Sequence, residues 1–401
     1  MQLNSDALRK VKYLTGSAEI AEKLSEVPAK IPFDDAIVEF LNDVSKTLMN
    51  NKQAKVYSDV VTFAFWIRKG SVLKLKERFL KNEGISLGKG VAFHIAPSNV
   101  PVNFAYSLVS GLLTGNANVV RVPSKDFPQV DLIADAFNLA LENNPAMKPY
   151  VLCVRYDRDK DINDLFSSAA DIRVVWGGDQ TIAELRKSPL PPRSGEITFA
   201  DRYSLAVIDS DSYLNIENKA RVAEDFYNDT FFSDQNACTS PRIVVWTGDR
   251  IDEAKEQFWA EEHKLVEKKY TFQSIQGVNK LTSSYLIAAV QPGVKVEDHT
   301  DNLIVRVKVP QISDHLMDFR DNSGYFYEYD CEDIMALAPL CNDKRCQTIG
   351  YIGDGNVIRP LIEAGVKGID RVVPIGKTMD FDLIWDGYNL PALMTRTVVI
   401  A

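Results

Sequence analysis

The chain has 401 residues, 45% of them hydrophobic and 25% charged, an ordinary balance that supplies enough apolar material for a sizeable core and for two or three domains. A formal charge of −9 and a pI near 5.2 argue against a nucleic-acid binder, which needs a basic face, but allow an anionic ligand held by a few local Lys or Arg residues. No apolar run approaches the ~18 residues of a membrane span, the polar start MQLNSDALRKVKYLTG lacks the apolar core of a signal peptide, and five cysteines (153, 238, 331, 341, 346) make no disulfide framework, so a reduced, cytoplasmic setting is the expectation.

Residues 1–33 read as a mixed, partly ordered arm. Three helices follow over 34–83, the first opening on Asp34 and Asp35, and together 1–84 form an N-terminal helical segment. From residue 88 short apolar runs alternate with amphipathic ones. The strand GVAFHIAP leads through the proline-bracketed loop PSNVP into the helix FAYSLVSGLLTG, which stops at Gly115. The strands NVVRVP, YVLCVRY and DIRVVWGG then alternate with the helices FPQVDLIADAFNLALENN, DINDLFSSAA and DQTIAELRKS. This order predicts an α/β domain over 85–203 with a parallel, doubly wound sheet. Ligand groups are expected at the carboxyl ends of its strands, here PSNVP, VPSK and WGGD.

The stretch SPLPPRSG (188–195) marks a candidate domain boundary. A second α/β unit is expected over 204–350, with the strand YSLAVID, the helix EDFYNDTFF, the loop SDQNACTSPR, the strand RIVVW and the helix DEAKEQFWAEEHKLVEKKY. The segment 351–401 closes the chain with a glycine-rich turn at GYIGDGN, then RVVPIGKTMDFDLIWDG and the strand TRTVVIA.

Several positions carry the chemical interest. Cys238 sits alone in a polar loop, where a thiol serves as buried filler, metal ligand, disulfide half or nucleophile; spacing without C-x-x-C pairs or neighbouring histidines argues against a metal. As a nucleophile it would accept an acyl group and divide one hard step into two. Asn99, between Pro97 and Pro101, suits a turn and equally suits the donation of an amide N–H to a developing oxyanion. Gly177 and Gly178 either end a strand or let the backbone approach a pyrophosphate at a helix start. His94, inside a strand, reads as a satisfied core histidine.

Taken in order, APSNVPVNF (96–104), GNANVVRVPSKDFP (115–128) and FFSDQNACTSPR (231–242) resemble the oxyanion loop P-W-N-x-P, the cofactor-strand motif G-N-x-V-V-x-K-P and the nucleophile loop F-x-x-x-G-Q-x-C of the aldehyde dehydrogenase superfamily. The closing segment RVVPIGKTMDFDLIWDGYNLP (371–391) is similar to that of the bioluminescence-type (LuxC) acyl-CoA reductases, and the resemblance spans roughly residues 85–401. It implies an aldehyde dehydrogenase-like fold, with a Rossmann-type cofactor domain, a second catalytic α/β domain and N-terminal helices. It also implies Cys238 as nucleophile and Asn99 as oxyanion donor. The superfamily carboxylate that prefers a ribose diol falls on Lys125, so Ser124, Lys125 and Arg121 are expected to select NADPH through its 2′-phosphate, with Gly177 and Gly178 near the cofactor. Counting back from Ser204, the general-base Glu of hydrolytic members is missing from FADRYS (199–204), with Glu196 and Asp201 off register. That absence favours reduction of an acyl-CoA, a CoA thioester, to the aldehyde over aldehyde oxidation. Gly376, Lys377 and Trp385 are expected to return to the site, and the acyl chain to draw on 225–232 and 270–290. The resemblance further implies a homo-oligomer, with TRTVVIA as a candidate arm strand, and an acyl-protein synthetase as a possible partner. An aldehyde dehydrogenase, an acyl-phosphate reductase and a non-enzymatic docking subunit are the alternatives.

Overall fold

The computed structural model describes residues 5–80, 85–297, 301–313 and 315–400. The chain divides into two compact units, Met1–Ala200 with Leu383–Ala401, and Asp201–Asp382.

The first unit is built on a six-stranded sheet in the order Lys12–Thr15, Val151–Arg155, Ala117–Arg121, Val91–Ile95, Ile172–Trp176 and Gly195–Phe199. Five of these strands run parallel and Lys12–Thr15 closes one edge antiparallel. Val91–Ile95 is buried along its whole length, as expected of a parallel strand covered on both faces. From it the chain winds first to one side and then returns to the other, so the strand order reverses beside it. A doubly wound sheet opens a crevice at such a switch point, outside the carboxyl ends of the strands.

The expected helices are present as Asn103–Leu113, Pro128–Asn143, Lys160–Ala169 and Asp179–Leu185. The three N-terminal helices are Asp35–Asn50, Ser58–Trp66 and Lys69–Phe79; the Asp34 carboxylate accepts from the Ala36 N–H at 3.0 Å and caps the first. Their apolar faces join the core of this unit, where Phe40 meets Phe137 with ring centroids 5.9 Å apart. Residues 12–15 are not an arm. They form the edge strand, because unpaired ladder groups of Val151–Arg155 are available there. The proline-rich stretch 188–195 leads into Gly195–Phe199 of the same sheet. Thr395–Val398 pairs antiparallel with Ile85–Gly88 of its own chain. Among the described residues no helix is long and apolar enough to cross a membrane.

His94 is fully buried, with Nδ1 2.7 Å from Ser107 Oγ and Nε2 3.0 Å from Asn118 Oδ1. Burial lowers its pKa to about 4, so the ring is neutral and structural at ordinary pH.

The second unit carries seven strands in the order Lys295–Val296, Val305–Lys308, Tyr325–Asp330, Pro241–Thr247, Tyr203–Asp209, Cys346–Ile352 and Arg371–Pro374, all parallel except the first. GYIGDGN closes the strand Cys346–Ile352 with a turn in which Gly353 takes φ +109°. The helices Lys219–Asp229 and Ile251–Lys269 pack an aromatic cluster on this sheet, with Phe226, Phe258, Trp259 and Phe326 edge-on or tilted to one another.

Glu262 enters that cluster from the helix Ile251–Lys269. It is fully buried, and among the described residues neither carboxyl oxygen has a hydrogen-bond partner. Burial, with Glu224 nearby, raises its pKa well above the ordinary range, while Lys269 opposes the shift. A carboxyl whose folded pKa is raised contributes full stability below its unfolded value and loses it as pH climbs. Glu262→Gln should therefore melt higher than the parent at pH 8, and the gain should shrink towards zero near pH 5, as thermal melts across that range will measure.

Candidate active site

Cys238 lies in the loop that enters Pro241–Thr247, at the amino end of that strand. It is half-buried, whereas Cys153, Cys331, Cys341 and Cys346 are buried. Burial pushes the Cys153 thiol up to about 12 and Cys331 to about 11, so neither is suited to thiolate chemistry.

The loop is strained and tied down. Asp234 and Gln235 hold successive left-handed conformations, φ +51° and +58°, which side chains with a Cβ adopt at a cost. Counted back from Cys238, the glycine of F-x-x-x-G-Q-x-C falls on Gln235. Here the side chain compensates. Gln235 is fully buried, its Oε1 accepts from Gly324 N (2.9 Å) and Tyr325 N (3.2 Å), and its Nε2 donates to Pro241 O (2.9 Å) and Tyr325 O (3.1 Å). On either side, Asp234 accepts from the Tyr270 hydroxyl at 2.6 Å and Asn236 from the Asn322 amide at 2.7 Å.

Ser204 holds the loop from the neighbouring strand. Its hydroxyl donates to Cys238 O at 2.8 Å and accepts from Thr348 N at 3.2 Å. Both sheet ladders change register here, between Ser204 and Leu205 and between Cys346 and Ile349, so the hydroxyl satisfies groups the ladders leave open.

Arg242, four residues beyond the thiol, is buried beneath the loop. Its guanidinium donates to Gln235 O (2.6 Å), Asp321 O (2.7 Å) and Asn322 Oδ1. Burial first, then Arg320, lowers its pKa to about 10, while Cys238, Asp201 and Asp321 pull it back up. Arg320 is itself ion-paired to Asp201.

The segment Ile375–Asp380 packs on the same loop, where Thr239 Oγ1 donates to Met379 Sδ at 3.0 Å. Asp229 anchors it by accepting from Gly376 N (2.6 Å) and Thr378 N (3.2 Å). Burial pushes the Asp229 carboxyl up to about 7 despite those bonds. Gly376, at φ +88°, has no space for a Cβ beside Asp225. Lys377 is exposed and paired to Asp380 at 2.9 Å, and Trp385 lies buried in the first unit.

In the first unit the other expected residues gather at one edge of the sheet. The ladder sets Ile95 beside Arg121 and Val175, so the loop carrying Asn99, the turn carrying Ser124 and Lys125, and the turn Gly177–Gly178 leave adjacent strand ends at the switch point. Asn99, Ser124 and Lys125 are exposed. Lys125 makes no ion pair among the described residues, and its ammonium lies 5.0 Å over the Phe127 ring. Asp126 is held by Arg155 at 2.8 Å. Arg121 is committed elsewhere, stacked 4.7 Å from the Tyr156 ring with a bond to Tyr156 O. A Cβ on Gly178 would meet open space, and one on Gly177 would press on Thr181 at 3.1 Å.

The acyl-CoA reductase (LuxC) sequence profile matches residues 23–276, more than half of the chain. The chain belongs to that family. The long-chain acyl-protein thioester reductase of Vibrio harveyi is 29% identical over 298 residues, 72% of this chain and 59% of that protein. That of Aliivibrio fischeri is 23% identical over 293 residues, 72% and 58%. The chain thus matches less than two thirds of the length of these curated relatives. An aldehyde dehydrogenase of Physcomitrella patens, solved with the product succinate, superposes with a TM-score of 0.65 at 13% identity, covering 100% of this chain and 91% of that one. The glyceraldehyde-3-phosphate dehydrogenase of Methanocaldococcus jannaschii, solved with NADP, gives 0.65 at 14% identity, covering 95% and 92%. This LuxC-family chain has the aldehyde dehydrogenase-like α/β fold.

Sequence reasoning singled out the thiol but not what holds it. Gln235, Ser204 and Asp229 were legible only as polar residues near a motif; the signal available was a glutamine where the motif carries glycine. Gln235→Ala would leave four buried backbone groups unpaired and keep the strained backbone. Each such loss costs about 1–3 kcal/mol, so a destabilisation of at least ~3 kcal/mol is expected in urea unfolding.

Proposed function

We propose that this chain reduces an acyl thioester to the aldehyde, with Cys238 as the acyl acceptor and NADPH as the reductant. The observation that carries the proposal is the half-buried Cys238 on a loop whose strained backbone is over-determined by Gln235, Ser204 and Arg242. Strain maintained in this way is characteristic of functional sites.

The Cys238 sulfur attacks the acyl carbon and the donor thiol leaves, giving a thioester on the protein. The buried Arg242 cation is assigned the role of facing the charge on the attacking sulfur, since Cys238 is among the charges acting on it. Asn99 is assigned the donation of an amide N–H to the oxyanion, a contribution on the order of 3–4 kcal/mol. NADPH supplies the hydride. Cys238 then carries a thiohemiacetal, whose collapse restores the thiolate and frees the aldehyde.

The residues at the first unit's switch point fit such a cofactor. Lys125 offers a cation without an ion pair, Ser124 a hydroxyl, and Gly178 a backbone with open space above it. Arg121 is spent on Tyr156, so the 2′-phosphate falls to Ser124 and Lys125. At the position of the superfamily Glu this chain offers no base for hydrolysis of the acyl-enzyme. Phe199, at the position of the superfamily Glu, stacks on Trp176 with centroids 3.6 Å apart. Glu196 is bound by Arg173 and Arg186, and Asp201 by Arg320. The relatives named above are acyl-protein thioester reductases, so both CoA and a protein thiol are candidate acyl carriers.

Incubation with a long-chain acyl-CoA, and separately with an acylated carrier protein, should add one acyl mass to the parent chain and none to Cys238→Ala, read by intact-mass spectrometry. Absence of an adduct from both donors, with no oxidation of NADPH, would sink the enzymatic reading. Lys125→Glu should move the ratio of NADPH to NADH turnover towards NADH by at least tenfold; an unchanged ratio removes Lys125 from cofactor selection.

A further inference from the structure

The loop that carries Cys238 is spanned by a strap from later in the chain. It begins at Thr230, whose carbonyl accepts from Gln235 N (2.9 Å) and Ser233 N (3.3 Å), and reaches Thr239 beside the thiol. The segment Gly376–Met379 is bonded at both ends of it. At the foot, Asp229 accepts from Gly376 N and Thr378 N; at the head, Thr239 Oγ1 donates to Met379 Sδ. The strap lies tight on the helix Lys219–Asp229, because a Cβ on Gly376 would stand 2.7 Å from Asp225 Cβ. Its carbonyls are held from the other side. Arg371 donates to Thr378 O (3.1 Å), Lys377 O (3.3 Å) and Asp380 O (3.1 Å).

The two fastenings differ in kind. Arg371 stays protonated at any ordinary pH, so the strap stays fixed to its own strand. Asp229 offers both amides an acceptor only as a carboxylate. Once protonated, it keeps one acceptor oxygen and turns the other into a donor that opposes an N–H. The surroundings disfavour its charge. The carboxyl is fully buried, it stands at the negative end of its helix dipole, and it makes no ion pair among the described residues. The charged groups about it are otherwise engaged. On its own helix Arg221 pairs with Asp225 at 2.9 Å, and Glu224 with Lys269 of the helix Ile251–Lys269 at 2.6 Å. Glu262 of that helix is pushed well above the carboxylate range. On the strap Lys377 pairs with Asp380, and in the loop Asp234 is bonded to Tyr270. Burial first, with Asp380 adding to it, raises the Asp229 carboxyl to about 7 against the pull of the two amides. The carboxylate is therefore present above that pH and lost as pH falls through it. The strap is fastened at foot and head at pH 8, and loose at the foot at pH 6.

We propose that Asp229 is a positioning residue for Cys238: by fastening the strap at the foot of the loop, it holds the thiol where an acyl donor reaches it. The role rests on Cys238 as the acyl acceptor; the strap itself does not. Hydrogen–deuterium exchange at Gly376 and Thr378, corrected for the intrinsic rate, should be about tenfold slower in the parent at pH 8 than at pH 6, with Pro241–Thr247 unchanged. Asp229→Asn keeps the shape but always turns a donor to one amide, so it should exchange fast at both. At pH 8 this variant should react with iodoacetamide at Cys238 about fivefold faster than the parent, because the loosened loop opens the thiol. It should accept an acyl group from long-chain acyl-CoA about fivefold more slowly, because the thiol is no longer placed. Both ratios should approach one at pH 6, which unfolding of the variant would not produce, and a ratio cancels the titration of the thiol itself. Parent exchange that ignores pH, an Asp229→Asn chain that tracks the parent, or equal reactivity of the two at pH 8 would each overturn the proposal. Exchange and alkylation as expected, with no acylation of either chain, would sink the acyl-acceptor reading and leave the strap standing.

Discussion

A buried carboxamide has four hydrogen-bonding positions, and leaving any of them open in a dry interior costs more than the bond itself contributes. Gln235 fills all four with backbone groups of Pro241, Gly324 and Tyr325. The conformation of the Cys238 loop depends on that arrangement. Two successive left-handed residues would relax if the side chain let go, and the thiol three positions on would move with them. Ser204, Arg242 and the Thr239–Met379 contact act on a loop already placed by Gln235.

Electrostatics around the loop point the same way. Among the described residues Arg242 lies beneath it without a carboxylate of its own, because Asp201 is engaged by Arg320 and the Asp321 contact is through its carbonyl. A buried cation with its anions occupied or set back favours negative charge nearby, and Cys238 is among the charges acting on it. The other four cysteines are buried; burial pushes Cys153 and Cys331 up, and Cys346 is raised by its bond to Cys341 and by burial although Arg202 opposes the shift.

Much of the architecture was readable in advance. The alternation from GVAFHIAP to DQTIAELRKS encodes its own parallel sheet, because strands covered on both faces must be continuous apolar runs and the crossover helices must be amphipathic. The switch-point loops with Asn99, Ser124, Lys125 and Gly178 follow from strand order alone. Several elements escaped, among them the strands Val305–Lys308 and Tyr325–Asp330, and two of the others show why. KYLT (12–15) is too short and too exposed to show a period, and it is a strand only because residues some 140 positions later leave an edge to pair with. Ser274–Val290 has an obvious apolar stripe, but nothing local says that the stripe faces outward, since this depends on carbonyls of residues 302, 303 and 323 capturing Lys280.

Local composition therefore settled most strands and helices of the first sheet, several of its turns, and which thiol sits in a polar loop. Tertiary structure decided what holds that thiol: Gln235 to Tyr325, Ser204 to Cys238, Asp229 to Gly376. The physical reason is that each of these side chains binds backbone N–H and C=O groups. Nearly every residue carries the same pair, so the partner leaves no mark in the sequence and only the folded chain selects it.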